Sequence, residues 1–117
     1  MAIKVKTIVD IKAEATVISH SRTDVAIRDL TVTIDEPIAR GGTNLGPSPT
    51  ETIPVALASC LSVISHKVAD NLGVTLAYMS IDVVTKFDRR GVALIEEVQV
   101  PFPQIDVEIT VTTDSTP

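Results

Sequence analysis

The stretch Gly41 to Ile64, GGTNLGPSPTETIPVALASCLSVI, decides the fold. A glycine- and proline-rich lead-in runs into the longest apolar segment, and that segment holds the only cysteine, Cys60. Ser48-Pro49-Thr50-Glu51 reads as a capping box: Ser48 is the N-cap, Pro49 takes the first helical position, and Glu51 reaches back to the Ser48 N–H. Gly73 supplies a left-handed stop, so the spacing predicts a helix over Pro49 to Leu72. No residue from Ile53 to Ile64 is charged, and apolar side chains point around the whole circumference, which predicts burial on several faces. This run is shorter than the roughly 20 apolar residues of a bilayer span, and Lys67 and Asp70 follow it closely. Pro54 lies past the first turn and has no N–H for the Thr50 carbonyl, so the helix is expected to start irregularly.

Upstream, Ile3, Val5, Thr7, Val9, Ile11, Ala13, Ala15 and Val17 fall on odd positions with mostly charged residues between them. Period two over that length predicts a long half-buried strand, or two in line. HSRTD (His20 to Asp24) is a turn, and Val25 and Ile27 resume the alternation. Leu30, Val32 and Ile34 then occupy even positions, so Arg28-Asp29 is a tight turn or a bulge. Asp35-Glu36-Pro37 ends the sheet, because Pro37 cannot donate to a ladder. The glycine pair that follows is a weak phosphate cradle, since no Lys-Ser/Thr accompanies it.

Downstream, Thr75 to Phe87 alternates as a long strand up to a turn at Asp88-Arg89-Arg90-Gly91. Val92 to Val100 is equally readable as strand or short helix. Pro101 and Pro103 break the chain, and Ile105, Val107, Ile109 and Val111 form the last strand. Asp114-Ser115-Thr116-Pro117 has the look of another helix beginning.

At 117 residues the chain makes one domain, able to bury about 65% of the surface its unfolded form exposes. The core must be aliphatic, with no Trp, one Tyr and two Phe. Fifteen acidic against ten basic residues give a net charge of −5, and no basic cluster is present. That balance argues against nucleic acid or an anionic membrane as partner. No signal-peptide pattern opens the sequence, and one cysteine forms no intrachain disulfide, which together fit a reducing cytoplasm.

GGTNLGPSPTE followed by ALASCL resembles the OsmC/Ohr family, named for osmotically inducible and organic hydroperoxide resistance proteins. The resemblance extends upstream through SRTDVAIRDLTVTIDEP and covers about Thr16 to Thr113. It implies an α+β, OsmC-like fold: an antiparallel sheet packed on a long central helix, in an intertwined homodimer with active sites at the subunit interface. The family has a second long helix after the last strand read here, on or near which its second cysteine lies. This chain is therefore expected to be one OsmC-like domain over residues 1–117 lacking that helix.

By the same resemblance the chain is a thiol peroxidase for organic hydroperoxides, with Cys60 as nucleophile, a hairpin arginine as its partner and an acid near the helix start. Arg22 in SRTD matches the arginine, with Arg28 as the other candidate. The family's acid stands directly after the proline, where this chain has Thr50, and Glu51 is the nearest acid. Nine residues at roughly 100° each set Glu51 and Cys60 near opposite helix faces, which favours Glu51 as a cap. Cys60 lies away from the helix N-terminus, so a cation would have to favour its thiolate. Without a resolving cysteine, an external thiol or a second subunit must reduce the sulfenic acid.

No cofactor and no metal is implied. The expected partners are a second copy, an organic hydroperoxide and an external thiol reductant, with no nucleic acid and no membrane. The competing reading is a non-catalytic OsmC-like dimer that binds a small molecule or serves a structural role, Cys60 being core packing. A pure interaction module is the third. Ser62 and His66 share a helix face but have no orienting acid, and His66 with Asp70 has no third metal ligand.

Overall fold

The computed structural model describes residues 7–114, and the chain divides into two compact units, Met1–Pro49 and Thr50–Pro117. In the first unit β1 (Glu14–Val17), β2 (Thr23–Ile27) and β3 (Leu30–Ile34) form an antiparallel sheet in the order β1-β2-β3. The alternation upstream overstates the first strand. Residues 9–13 carry no regular structure, and Ile8, Val9 and Ile11 are 79%, 61% and 82% exposed. A strand exists only where a neighbour supplies a ladder. β2 has five residues, and Glu14–Val17 already pair with Ala26–Thr23. The part of that strand placed on Ile3 and Val5 lies outside the described residues, as does the helix start at Ser115–Pro117.

Between β2 and β3 the chain makes a tight turn rather than a bulge, with Arg28 at φ 53° and Ile27 paired directly with Leu30. After β3 the loop folds back on the strand end around Asp35, whose side chain is fully buried. Its carboxylate accepts from the N–H groups of Glu36 at 2.7 Å, Leu45 at 3.1 Å and Thr43 at 3.4 Å, and from the Thr43 hydroxyl. Glycine is required where the loop closes. A Cβ on Gly42 would stand 1.9 Å from the Glu36 carbonyl oxygen, and one on Gly46 2.0 Å from that of Thr33.

The second unit is built by α1 (Pro49–Asn71), β4 (Leu76–Lys86) and β5 (Gln104–Thr113). α1 runs without a break through Pro54, so the irregular start is absent. Gly73 sits at φ 71°, and its N–H closes the helix end on Asp70 at 3.1 Å. The 23 residues rise about 34 Å. With a mean hydropathy of 1.4 over an 18-residue window, α1 is long and apolar enough to cross a membrane by those two measures alone. The sequence reading, which counted only Ile53 to Ile64, placed it below that length.

β4 and β5 pair antiparallel from Leu76↔Thr113 to Lys86↔Gln104, with an irregularity at Ala77. Between them, residues 87–103 are neither strand nor helix. Arg90 organises this loop: its guanidinium donates to Asp88 at 2.6 and 2.9 Å and to Glu96, while the Ala93, Leu94 and Ile95 N–H groups close turns on Arg89, Gly91 and Arg90.

Burial on several faces of α1 is not realised within the chain. Most of the less exposed positions, among them Pro54, Ala58, Leu61, Ser65 and Ala69, follow one stripe at the spacing of a single helix face. Ala69 is the one buried hydrophobic residue among those described. Ile53, Val63 and Ile64 on the other side are 42%, 54% and 50% exposed.

The loop geometry fixes a prediction. Gly42→Ala, whose methyl group meets backbone it cannot displace, is expected to lower stability by about 2 kcal/mol or more. Gly91→Ala, whose nearest neighbour is Val98 at 3.8 Å, is expected to be near neutral. Denaturant midpoints for the two variants check this, and equal shifts would contradict the loop packing.

Candidate functional site

Cys60 stands on α1 and is exposed. Within this chain it is therefore not core packing. Its neighbours at helical spacing are the exposed Ile53, Val63 and Ile64, so the thiol sits in an apolar, uncovered patch. Glu51 lies nine residues earlier on an unbroken helix, which places it on the opposite side. There it lines a cleft of about 360 Å³ together with Thr50, Pro54, Val55, Thr85, Phe87 and Phe102. Phe87 and Phe102 stack at 5.0 Å between centroids and 34° between planes, giving the cleft an aromatic wall. The structure does not bring Glu51 and Cys60 together on one helix face.

Arg22 belongs to the first unit and closes the β1–β2 turn. Ser19 Oγ accepts from the Arg22 N–H at 3.0 Å and the Ser21 N–H at 3.3 Å, and His20 Nε2 donates to the Gly41 carbonyl at 3.1 Å. The guanidinium is held by one edge, Nε donating to Asp24 Oδ1 at 3.1 Å and Nη2 to Oδ2 at 3.0 Å. Thr33, opposite Asp24 in the ladder, donates its hydroxyl to the same carboxylate at 3.1 Å. These bonds raise the Arg22 pKa and hold that of Asp24 below its usual range, the Arg22 hydrogen bond being the largest cause for Asp24. Asp35 is held well below the carboxylate range, chiefly by the Thr43 hydroxyl and then by the Leu45 and Glu36 N–H groups, against its own burial.

Arg28 lies at the far end of β2, some 20 Å along the strand from Arg22. It serves the β2–β3 turn. His66 Nδ1 donates to the Ser62 carbonyl at 2.7 Å, so its ring bonds backbone and not the Ser62 hydroxyl. Sequence reasoning missed Asp24, Thr33, Asp35 and Thr43. Only Asp24 left a signal, since residues two apart beside a strand share a face.

A model of the OsmC family, described as OsmC-like protein, matches residues 42–117. The chain belongs to the OsmC-like family. The match takes in the lead-in loop, α1 with Cys60, and both strands of the second unit. Solved structures agree on the fold. An OsmC-like protein from Mycoplasma pneumoniae superposes with a TM-score of 0.73 at 14% identity, over 92% of this chain and 72% of its own. A protein from Psychrobacter arcticus 273-4, named for osmotic stress induction and a detoxification response, gives 0.63 at 19% identity, over 98% of this chain and 77% of its own. No curated protein matches the sequence. The α+β architecture of antiparallel sheets and one helix is thus that of OsmC-like proteins.

The loop beside the aromatic wall carries an acid-sensitive pair. The Arg90 side chain, and then its N–H, push Asp88 down to about 2. A folded pKa below the unfolded value means that the unfolded chain takes up protons first as the medium is acidified. The stabilisation from Asp88 is complete above about pH 4 and lost as pH falls towards 2, whereas Asp35, held lower, yields only in stronger acid. Thermal midpoints between pH 5 and pH 2 should accordingly fall less steeply for Asp88→Asn than for the parent protein.

Proposed function

We propose that this OsmC-like protein is a thiol peroxidase that reduces organic hydroperoxides in a stress or detoxification role, with Cys60 as the reacting group. Family membership carries the reading, together with the exposure of the only thiol on the family's helix. The name of the Psychrobacter relative points to the same kind of role. The Cys60 thiolate attacks the terminal peroxide oxygen; an S–O bond forms as the O–O bond breaks, leaving a sulfenic acid and an alkoxide that takes a proton from water. Arg22 is assigned to the thiolate and the departing alkoxide, as a charged planar donor. Glu51, across the helix from Cys60 in the same chain, is left without a chemical step. Two equivalents of an external thiol return the sulfenic acid to the thiol, releasing water and a disulfide.

The working form in this proposal is a homodimer. Ile53, Val63 and Ile64 around Cys60 are open, and Ile105, Val107, Ile109 and Val111 on β5 are 45%, 43%, 44% and 43% exposed. Aliphatic surface of this extent on a helix and a strand gains by being covered.

A second reading has one observation in its favour. The cleft walled by Phe87 and Phe102 would take a small apolar molecule without any use of Cys60.

The two readings separate by experiment. Reaction with tert-butyl hydroperoxide, followed by loss of free thiol and trapping of sulfenic acid, is expected to run far faster than for free cysteine at the same pH. Cys60→Ser abolishes it, and Arg22→Ala slows it on the order of 10²-fold. A rate no faster than free cysteine, unchanged in Arg22→Ala, would leave the ligand-binding reading in its place.

A further inference from the structure

We propose that Asp24 is the positioning residue for Arg22, fixing the guanidinium by its Nε–Nη2 edge so that the Nη1–Nη2 edge is presented as a ready pair of donors. The inference deepens the peroxidase reading and rests on the role given there to Arg22. An arginine carries five N–H donors in a rigid plane and can be gripped on one edge while serving another ligand on the next. Here the grip is two parallel bonds of 3.1 and 3.0 Å from one side chain to one carboxylate.

The carboxylate is itself fixed. Asp24 lies within β2, and Thr33 directly across the ladder donates to Oδ1, the oxygen that also takes the Arg22 Nε–H. The backbone of Arg22 is held independently. Its N–H is capped by Ser19 Oγ, its carbonyl accepts from the Ile18 N–H at 3.0 Å and the Ser19 N–H at 3.2 Å, and His20 clips the turn to Gly41. A long, flexible side chain on a turn is thereby ordered before any ligand arrives, which removes a cost that binding would otherwise carry.

A contribution to stability explains this arrangement poorly. The two side chains are 32% and 24% exposed, and ion pairs near water contribute little to folding. Orientation of the arginine is what the four-residue set Ser19, Arg22, Asp24 and Thr33 achieves. The pairing also sets the kind of help that Arg22 gives. With its charge partly matched by Asp24, Arg22 offers a hydroperoxide chiefly a directed pair of hydrogen bonds, suited to a neutral ligand whose leaving oxygen gains charge during reaction.

The test uses the full chain with Asp24→Asn, Thr33→Val, Arg22→Ala and the Asp24→Asn/Arg22→Ala double variant. Three readouts are needed: the rate of Cys60 oxidation by tert-butyl hydroperoxide, the thermal midpoint, and the Arg22 Nε–H signal in ¹⁵N-resolved NMR spectra. Positioning predicts that Asp24→Asn slows oxidation by about 10-fold when Arg22 is present and less than about 2-fold when it is absent. Thr33→Val should slow it less, and the midpoint should move little in both.

An equal loss with and without Arg22 overturns the proposal. So does a rise in rate in Asp24→Asn, which would make Asp24 a competitor for the guanidinium. If the parent protein fails to react faster than free cysteine, the peroxidase reading fails by itself, and the NMR signal then decides on Asp24. A protected Nε–H that is lost in Asp24→Asn upholds the positioning, and one that persists unchanged overturns it. Should Asp24→Asn fail to fold, Thr33→Val decides, through the same coupling to Arg22 and the same signal.

Discussion

The buried carboxylate of Asp35 is the constraint on which the lead-in to the central helix depends. A charge out of water is tolerated only when donors replace its hydration, and Asp35 collects three backbone N–H groups and one hydroxyl from residues 36 to 45. Those bonds wind the loop into one shape. That shape forces the backbone so close at positions 42 and 46 that only glycine fits. The Asp35 N–H in turn bonds the Pro47 carbonyl at 3.0 Å, and the buried Ser48 follows immediately before the first residue of α1. The loop wound around this one aspartate thus accounts for Gly42 and Gly46, and it leads directly into the first residue of α1.

The second unit poses the opposite problem. Its helix and hairpin are rich in Val, Ile and Leu, yet Ala69 is the one buried hydrophobic side chain among the described residues. Apolar area gives up free energy only when it leaves water, at about 25 cal/mol per Å². The order of α1, β4 and β5 within one chain therefore comes largely from backbone ladders and turn bonds, such as the reciprocal pair between Thr75 and Asp114. The apolar surface around Cys60 and along β5 is what the proposed homodimer would cover. This is why a homodimer and a reactive thiol belong to one proposal: the face that asks for a partner is the face that carries the sulfur.

Local signals were legible where chemistry acts over a few residues. Ser-Pro-Thr-Glu and Gly73 fixed α1 to within one residue at its end, and the Arg28-Asp29 phase change located a turn. Pro54 predicts an irregular start, yet the helix continues through it. The alternation over Val9 to Ala13 likewise predicts strand where none forms. Period two reports that a stretch would present one apolar face, but a strand needs a neighbour, and among the described residues β2 pairs with Glu14–Val17 and not with residues 9–13. The site divided in the same way. That Glu51 and Cys60 oppose each other follows from counting residues on a helix. Asp35 meeting Thr43 and Leu45, or Asp24 meeting Thr33 across a ladder, depends on where the chain returns, which no short-range pattern encodes.

The opposition of Glu51 and Cys60 has a consequence for how this member of the family is organised. One helix serves two surfaces: a cleft with an aromatic wall on the side of Pro54 and Glu51, and an exposed thiol among aliphatic residues on the other. A rigid helix separates them by its own diameter with side chains, about 10 Å, so a small molecule in the cleft does not touch the sulfur of the same chain. The two proposed events, oxidation at Cys60 and binding in the cleft, thus fall on separate surfaces of one subunit. Any coupling between them must pass through the helix itself, whose Pro54 lies beside the cleft and lacks one rung of the backbone ladder.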